Sequence, residues 1–128
     1  MPTNFLSEDQ RRRFGRLTVS VIRDAVVETD ARRVERSVTN LVTNALRHGA
    51  EPVVMEVDGP TVHVRDNGPG FPPDLLAHGP QRFRTSGKGG LGLGLTIVMG
   101  QAEVLRAQLT WTNPTEGGAQ ATLHLPTT

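Results

Sequence analysis

Apolar residues in the first half of the chain are spaced for one long helix. Between Ala31 and His48 they recur every three or four residues, which places them on one helical face. Asp30 has the side chain of a helix N-cap, and Gly49 is a stop signal. The sequence therefore predicts a helix over 31–48 with its apolar face buried. That face consists of Val34, Val38, Leu41, Val42, Ala45 and Leu46.

Five short runs have the character of strands. The first is rich in β-branched residues, and the second and third alternate and meet at Asp58-Gly59, a dipeptide typical of hairpins. A second helix is predicted over 95–105. This order predicts helices packed on one face of a mixed or antiparallel sheet. The predicted strands are 18–22, 53–57, 61–66, 107–112 and 119–125.

Glycine is concentrated in 67–94, which holds eight of the 14 glycines and predicts a loop. Within it, Gly90, Gly92 and Gly94 alternate just before the second predicted helix. Free backbone N–H groups at a helix N-terminus bind phosphates, so this run is a candidate phosphate site, with a flexible loop and helix cap as the alternative. A Walker-type loop is excluded because Lys88 is followed by glycine rather than Ser or Thr.

The polar face of the long predicted helix carries Asn40, Asn44, Arg47 and His48 within one arc. A solvated face is the simplest interpretation of such a stripe. Asparagine is a poor helix former, however, and an ordinary wet face would more often carry Glu, Lys or Gln. A neutral amide oxygen can bind Mg²⁺ when nucleotide phosphates and waters supply the other ligands. An asparagine amide on this stripe is therefore a candidate Mg²⁺ ligand.

Asp66 ends the third predicted strand on the side that buries Val62 and Val64. Because a buried carboxylate needs partners, this position has two interpretations. It can cap the turn formed by 67–70, Asn-Gly-Pro-Gly. It can instead accept a hydrogen bond from an adenine amino group, worth roughly 1–3 kcal/mol, while the glycines let the backbone approach the base.

Length and composition narrow the class of protein. The 128 residues fit one domain, and 14 Lys and Arg residues nearly balance 13 Asp and Glu residues, which argues against a dedicated nucleic-acid binder. The chain has no cysteine, so no disulfide framework or thiolate metal site is expected. No apolar run approaches the roughly 18 residues of a membrane span and no signal-peptide core is present, so we expect a soluble piece.

Four segments, taken together and in order, resemble the Bergerat ATP-binding fold of histidine kinases, gyrase-type ATPases, Hsp90-type chaperones and MutL-type repair proteins. The resemblance covers 30–126. It implies a two-layer α/β sandwich, in which about three helices cover one face of a mixed, mostly antiparallel sheet. The segments are SVTNLVTNALRHG (37–49, N box), VRDNGPGFP (64–72, G1 box), QRFR (81–84, F box) and GLGLGL (90–95, G2 box).

Carried over by position, the resemblance implies an ATP site with Mg²⁺ on Asn44, and with Arg47 and His48 near the phosphates or sugar. Asp66 would hold the adenine amino group, and Phe83 would anchor a mobile lid over ATP. Further ATP-binding residues that the boxes imply are Asn67, Gly68, Gly70, Lys88, Gly90, Leu91, Gly92, Leu93 and Gly94.

Asn40 favours the histidine-kinase branch of the superfamily. In the ATPase branches a glutamate one turn before the magnesium asparagine activates water, whereas Asn40 cannot accept a proton at neutral pH. Direct hydrolysis should be poor, but transfer to an imidazole, already a nucleophile, mainly needs alignment. The F box and the GLGLGL run also favour this branch. The implied catalytic residues are Asn40, Asn44 and Arg47.

The resemblance also implies partners. No histidine here is followed by an acidic residue, as phosphoacceptor histidines usually are, so the γ-phosphate would go to a separate dimerisation and phosphoacceptor domain and then to a response regulator receiver domain. Residues 1–17 would be a remnant of the linker from that domain, and 18–128 a monomeric, cytoplasmic catalytic domain. An inner-membrane sensor kinase is one expected parent. The alternatives are an anti-sigma-type serine kinase and a nucleotide-sensing module without transfer activity.

Overall fold

The computed structural model describes residues 17–23, 29–50, 52–79 and 91–126. Within these ranges the chain forms three helices and five strands. None of these helices combines the length and apolar character that crossing a membrane requires. The helices are α1 (Ala31–His48), α2 (Pro73–His78) and α3 (Leu91–Leu105). The strands are β1 (Leu17–Arg23), β2 (Val53–Asp58), β3 (Thr61–Arg65), β4 (Gln108–Thr112) and β5 (Gln120–His124).

The strands form one sheet in the order β1-β2-β3-β5-β4. β1 runs parallel to β2, and the other three pairs are antiparallel, which confirms the predicted mixed, mostly antiparallel sheet. The neighbouring inner strands β3 and β5 pair Arg65 with Gln120. The chain just after β3 and the chain just before β5 therefore meet at one end of the sheet.

Alternation along the inner strands sends apolar side chains to one face, where the helices pack. Val62 and Val64 of β3 are buried, as is every second residue of β2. Fully burying one such side chain is worth about 1.5–3 kcal/mol, so this face holds the two layers together. The predicted two-layer α/β sandwich is confirmed. The helical residues of the core are Val34, Val38, Leu41, Val42, Ala45, Leu75, Leu95, Val98, Ala102 and Leu105.

Both ends of α1 lie where the sequence predicts them. Asp30 caps the first turn, where its Oδ1 accepts a hydrogen bond from the backbone N–H of Arg32 at 3.1 Å. After the last residue, the N–H of Gly49 donates to the carbonyl oxygen of Ala45 at 3.0 Å. The φ of Gly49 is −96°, not the left-handed value that a helix-ending glycine commonly adopts. Backbone conformation therefore does not explain glycine at this position.

The predicted loop over 67–94 is wrong at two places. The short helix α2 forms because its Leu75 is fully buried in the core and its first residue, Pro73, suits a helix start. α3 begins at Leu91, earlier than predicted, so that the glycines at 92 and 94 lie in its first turn. Glycine disfavours helix by only about 1 kcal/mol per residue, and packing of α3 along α1 outweighs that preference.

The predicted hairpin between β2 and β3 is confirmed, but its turn lies one residue later. Asp58 still pairs with Thr61, so the two turn residues are Gly59 and Pro60. Gly59 has a φ of 61°, and a turn of type II′ places glycine with positive φ at this first position. Pro60 therefore takes part in the turn instead of disrupting it.

Candidate nucleotide site

A pocket opens between the C-terminal half of α1, the end of β3 and the start of β5. It contains about 440 Å³ of empty space, part of which is open to solvent. Its walls are mostly apolar with a few polar groups, the usual make-up of a small-molecule site. The lining residues are Leu41, Asn44, Ala45, His48, Gly49, Val64, Asp66, Gly70, Phe71, Leu95, Ala119 and Ala121.

Asp66 supplies the buried carboxylate of this pocket. It is 5% exposed, so the inward orientation predicted from the strand pattern is confirmed. Its Oδ1 accepts a hydrogen bond from the backbone N–H of Gly68 at 2.7 Å. The N–H of Asp66 donates to the carbonyl of Ala119 at 3.0 Å, and the N–H of Asn67 donates to the carbonyl of Ala50 at 2.9 Å. A carboxylate accepts up to about four hydrogen bonds, so this turn cap leaves capacity for a ligand.

Burial raises the pKa of Asp66 from its ordinary value of 3.8, because the charged form loses its hydration. The backbone N–H groups of Gly68, Ala119 and Ala50 oppose this rise by stabilising the carboxylate. With a folded pKa above the unfolded one, the favourable contribution of this group is present at low pH and is lost as the pH rises through the folded pKa. A ligand that donates a hydrogen bond to the carboxylate would offset this cost of burial.

Asn44 and His48 lie one turn apart on the α1 wall of the pocket. The Nδ2 of Asn44 is buried and has no hydrogen-bond partner among the described residues. An unpaired buried amide costs stability, which makes it a candidate ligand contact. The described residues contain no group of three or more His, Asp or Glu side chains that could hold a metal. The amide oxygen of Asn44, on the pocket wall, is the kind of neutral ligand that Mg²⁺ accepts when nucleotide phosphates and waters supply the other ligands.

The other predicted site residues lie at different places around the pocket. Gly70 lines the pocket, and the backbone N–H of Gly68 donates a hydrogen bond to the Asp66 carboxylate. Arg47 and Asn67 are exposed and do not line it. Asn40 lines a neighbouring groove on α1. The first turn of α3 contains Leu91, Gly92, Leu93 and Gly94, whereas Phe83, Lys88 and Gly90 fall outside the described residues.

Phe71 and Asn113 also contribute to the site, and neither is among the site residues predicted from the sequence. Phe71 lines the pocket beside Gly70. Asn113 follows β4 directly, and its Oδ1 accepts from the N–H of Phe71 at 2.7 Å while its Nδ2 donates to the carbonyl of Phe71 at 2.9 Å. The position of Phe71 in the G1 segment was a usable signal. Asn113 lies 42 residues away, and no local pattern links the two positions.

Comparison with known families identifies the class of protein to which this chain belongs. The family model for histidine kinase-, DNA gyrase B-, and HSP90-like ATPases matches residues 29–128. The chain belongs to this family of ATPases. ATP is therefore the nucleotide associated with the family, and the family resemblance predicted from the sequence is confirmed.

Individual relatives narrow the class further. The chain is 54% identical over 112 residues to the sensor protein CseC of Streptomyces coelicolor, covering 84% of this chain and 22% of the relative. It is 41% identical over 106 residues to the signal transduction histidine-protein kinase AfsQ2 of the same organism, and this match covers 76% of this chain and 20% of the relative. The chain thus corresponds to the ATP-binding catalytic domain of sensor histidine kinases, and it spans about a fifth of the length of these relatives.

A solved structure shares the fold of the described residues. The crystal structure of the ATP binding domain of PrrB from Mycobacterium tuberculosis matches with a TM-score of 0.76 at 25% identity. The match covers 100% of this chain and 97% of that one. The α/β fold described above is therefore that of a histidine-kinase ATP-binding domain.

Proposed function

We propose that this domain binds ATP with Mg²⁺ and presents the γ-phosphate to a histidine on a separate dimerisation and phosphoacceptor domain. A response regulator receiver domain would then take the phosphoryl group. One observation carries the proposal: the buried carboxylate of Asp66 shares a pocket with Asn44 and His48 of α1. An inward acceptor suits an adenine amino group, and an amide oxygen suits Mg²⁺.

Asp66 would select the base. The exocyclic amino group of adenine is a donor and matches the carboxylate, whereas guanine carries a carbonyl oxygen at the corresponding position. Two acceptors facing each other in a buried site leave both unpaired, which costs about 1–3 kcal/mol per unsatisfied group. The pocket should therefore prefer ATP to GTP.

Asn44 would hold the metal that accompanies the phosphates, and its enclosed Nδ2 could donate to a phosphate oxygen. Bound Mg²⁺ would neutralise charge on the phosphates. Arg47, exposed at the end of α1, and the backbone of the first turn of α3 would lie nearest the outer phosphates. Phe83, Lys88 and Gly90 would belong to the lid, as the resemblance implies.

Asn40 supports transfer over hydrolysis. It lies one turn before Asn44 and its amide cannot take a proton from water at neutral pH. Without such a base, bound ATP should persist until a nucleophile arrives. An imidazole needs no deprotonation to attack, so alignment with the γ-phosphate suffices.

The rest of the parent protein is also proposed. Because the chain covers about a fifth of a relative named as a sensor protein and of one named as a signal transduction histidine-protein kinase, we take it to be the catalytic part of a longer sensor kinase. It would lie in the cytoplasm and be monomeric in isolation, with residues 1–17 leading from the phosphoacceptor domain. An inner-membrane receptor is the parent we favour.

The test is transfer in trans. The purified domain is mixed with the phosphoacceptor domain of a related sensor kinase and ATP labelled at the γ-position, with and without Mg²⁺. Acid-labile label on the phosphoacceptor domain supports the proposal. Acid-stable label would instead indicate a serine kinase of the anti-sigma type, and ATP binding without any label would indicate a nucleotide sensor.

Binding is checked first, by thermal shift. Millimolar ATP with Mg²⁺ should raise the melting temperature, as expected for a ligand that binds only the folded state, and GTP should do so much less. The absence of any shift with ATP and Mg²⁺, confirmed by calorimetry, would refute the proposed function.

A further inference from the structure

Gly49 directly follows α1, and the space where its side chain would lie is taken by Asp66. Its φ of −96° and ψ of −153° are extended, so the backbone does not demand glycine here. A Cβ built on Gly49 would instead lie closer than 3.0 Å to the Cγ and both carboxylate oxygens of Asp66. Real Cβ atoms do not make contacts that short. The space that glycine leaves open at 49 is therefore filled by this carboxylate.

The carboxylate of Asp66 cannot easily move aside. The peptide groups on either side of Asp66 are held by hydrogen bonds, from its own N–H to Ala119 and from the next N–H to Ala50. Its Oδ1 is held by the N–H of Gly68 at 2.7 Å. A Cβ on Gly68 would itself lie 2.8 Å from the Cα of Gly49, so the two backbones are already in contact. A methyl group at 49 would have to rotate the carboxylate away from Gly68.

We propose that Gly49 is a positioning residue for base selection: it leaves the space in which the Asp66 carboxylate is held toward the pocket. This inference rests on the proposed function, in which that carboxylate accepts a hydrogen bond from adenine. It assigns to Gly49 a role beyond ending α1. The prediction is specific to the carboxylate, since the three nearest atoms to a side chain at 49 all belong to it.

The first experiment compares Gly49→Ala with the wild-type domain by calorimetry with ATP, GTP and Mg²⁺. Gly49→Ala should weaken ATP binding by about tenfold or more, equivalent to the loss of one hydrogen bond, and should reduce the preference for ATP over GTP. The pH at which ATP affinity falls should also shift, because the carboxylate acquires new surroundings. Gly100→Ala is the matched control, since a Cβ at Gly100 meets nothing within 4 Å and the position is exposed on α3.

The double variant Gly49→Ala with Asp66→Asn distinguishes positioning from a general loss of structure. If Gly49 acts through Asp66, the two losses of ATP affinity are not additive, and the double variant binds ATP about as weakly as Asp66→Asn alone. Fully additive losses, or wild-type affinity and an unchanged pH profile in Gly49→Ala, would overturn the proposal.

A stability cycle covers the case in which Gly49→Ala binds nothing or folds poorly. In an Asp66→Ala background the obstructing atoms are gone, so adding Gly49→Ala should lower the melting temperature far less than it does in the wild type. An equal drop in both backgrounds contradicts the inference. This cycle needs no nucleotide, so it still tests the contact if the wild-type domain proves not to bind ATP and the proposed function fails.

Discussion

Asp66→Asn replaces the buried carboxylate with an amide of nearly the same size, so it changes hydrogen bonding without leaving a cavity. In the wild type, Oδ1 accepts from the N–H of Gly68 at 2.7 Å. An amide has only one oxygen, and keeping that hydrogen bond turns its NH₂ group toward the remaining carboxylate position. The donor of the amide would then face the donor of the adenine amino group.

The magnitude follows from the hydrogen bond lost. A hydrogen bond to a charged group contributes about 1.5–3 kcal/mol, which corresponds to roughly 10-fold to 150-fold in affinity. We expect the dissociation constant for ATP, measured by calorimetry with Mg²⁺, to rise by about tenfold or more. GTP should lose less or even gain, because the carbonyl oxygen of guanine can accept from the new NH₂ group. Unchanged ATP affinity would remove Asp66 from the base site.

The same substitution should not destabilise the nucleotide-free domain. Because burial raises the pKa of Asp66, its ionisation costs more in the folded than in the unfolded domain, and a neutral amide avoids that cost. The melting temperature of Asp66→Asn at pH 7 should equal or exceed that of the wild type. A lower melting temperature, with ATP and GTP affinities reduced in parallel, would indicate that the carboxylate is structural.

We also expect measurable effects of pH and of Asn44 on ATP binding, of the Asn113–Phe71 hydrogen bonds on binding and stability, and of the buried Leu75 on stability. Lowering the pH toward the raised pKa of Asp66 should weaken ATP binding in the wild type, because protonation removes a hydrogen-bond acceptor. A titration of ATP affinity against pH, by fluorescence or calorimetry, should show no such step in Asp66→Asn. Asn44→Ala should abolish the effect of Mg²⁺ on ATP affinity and leave the circular dichroism spectrum unchanged; a normal magnesium titration would count against the metal role. Asn113→Ala removes two hydrogen bonds to Phe71 and should lower both ATP affinity and the free energy of unfolding, by about 0.5–1.5 kcal/mol per bond. Asn113→Asp should not restore the loss in full, because it keeps the acceptor for the Phe71 N–H but sets an oxygen against the Phe71 carbonyl. Leu75→Ala should lower the free energy of unfolding, measured in urea, by about 2–5 kcal/mol, because the Leu75 side chain is fully buried. The neighbouring Leu76 is 38% exposed, so Leu76→Ala should lower it much less, and equal effects would contradict the packing of α2.

The local pattern of apolar and polar residues was sufficient to predict the bounds of α1 and the inward orientation of Asp66, because one face of each element is buried. The helical period of the apolar residues placed α1 between Asp30 and Gly49, and the strand period turned Asp66 inward. Both inferences depend only on neighbouring residues, because the burial of one face imposes a repeat on the chain. The four boxes predicted the family, and with it ATP as the nucleotide, because their order along the chain is typical of one family. The family match confirms this prediction.

Contacts between distant segments were decided only by the tertiary structure. The strand order brings the end of β3 beside the start of β5, which places Ala119 in the pocket wall, and the pairing of β4 with β5 brings Asn113 against Phe71. Glycine at 49 looked like a helix stop because the sequence does not show which atoms occupy the space beside it. The glycines at the start of α3 indicated a loop for a similar reason. A residue's own preference is worth about 1 kcal/mol, and packing against elements far away in the chain can exceed it.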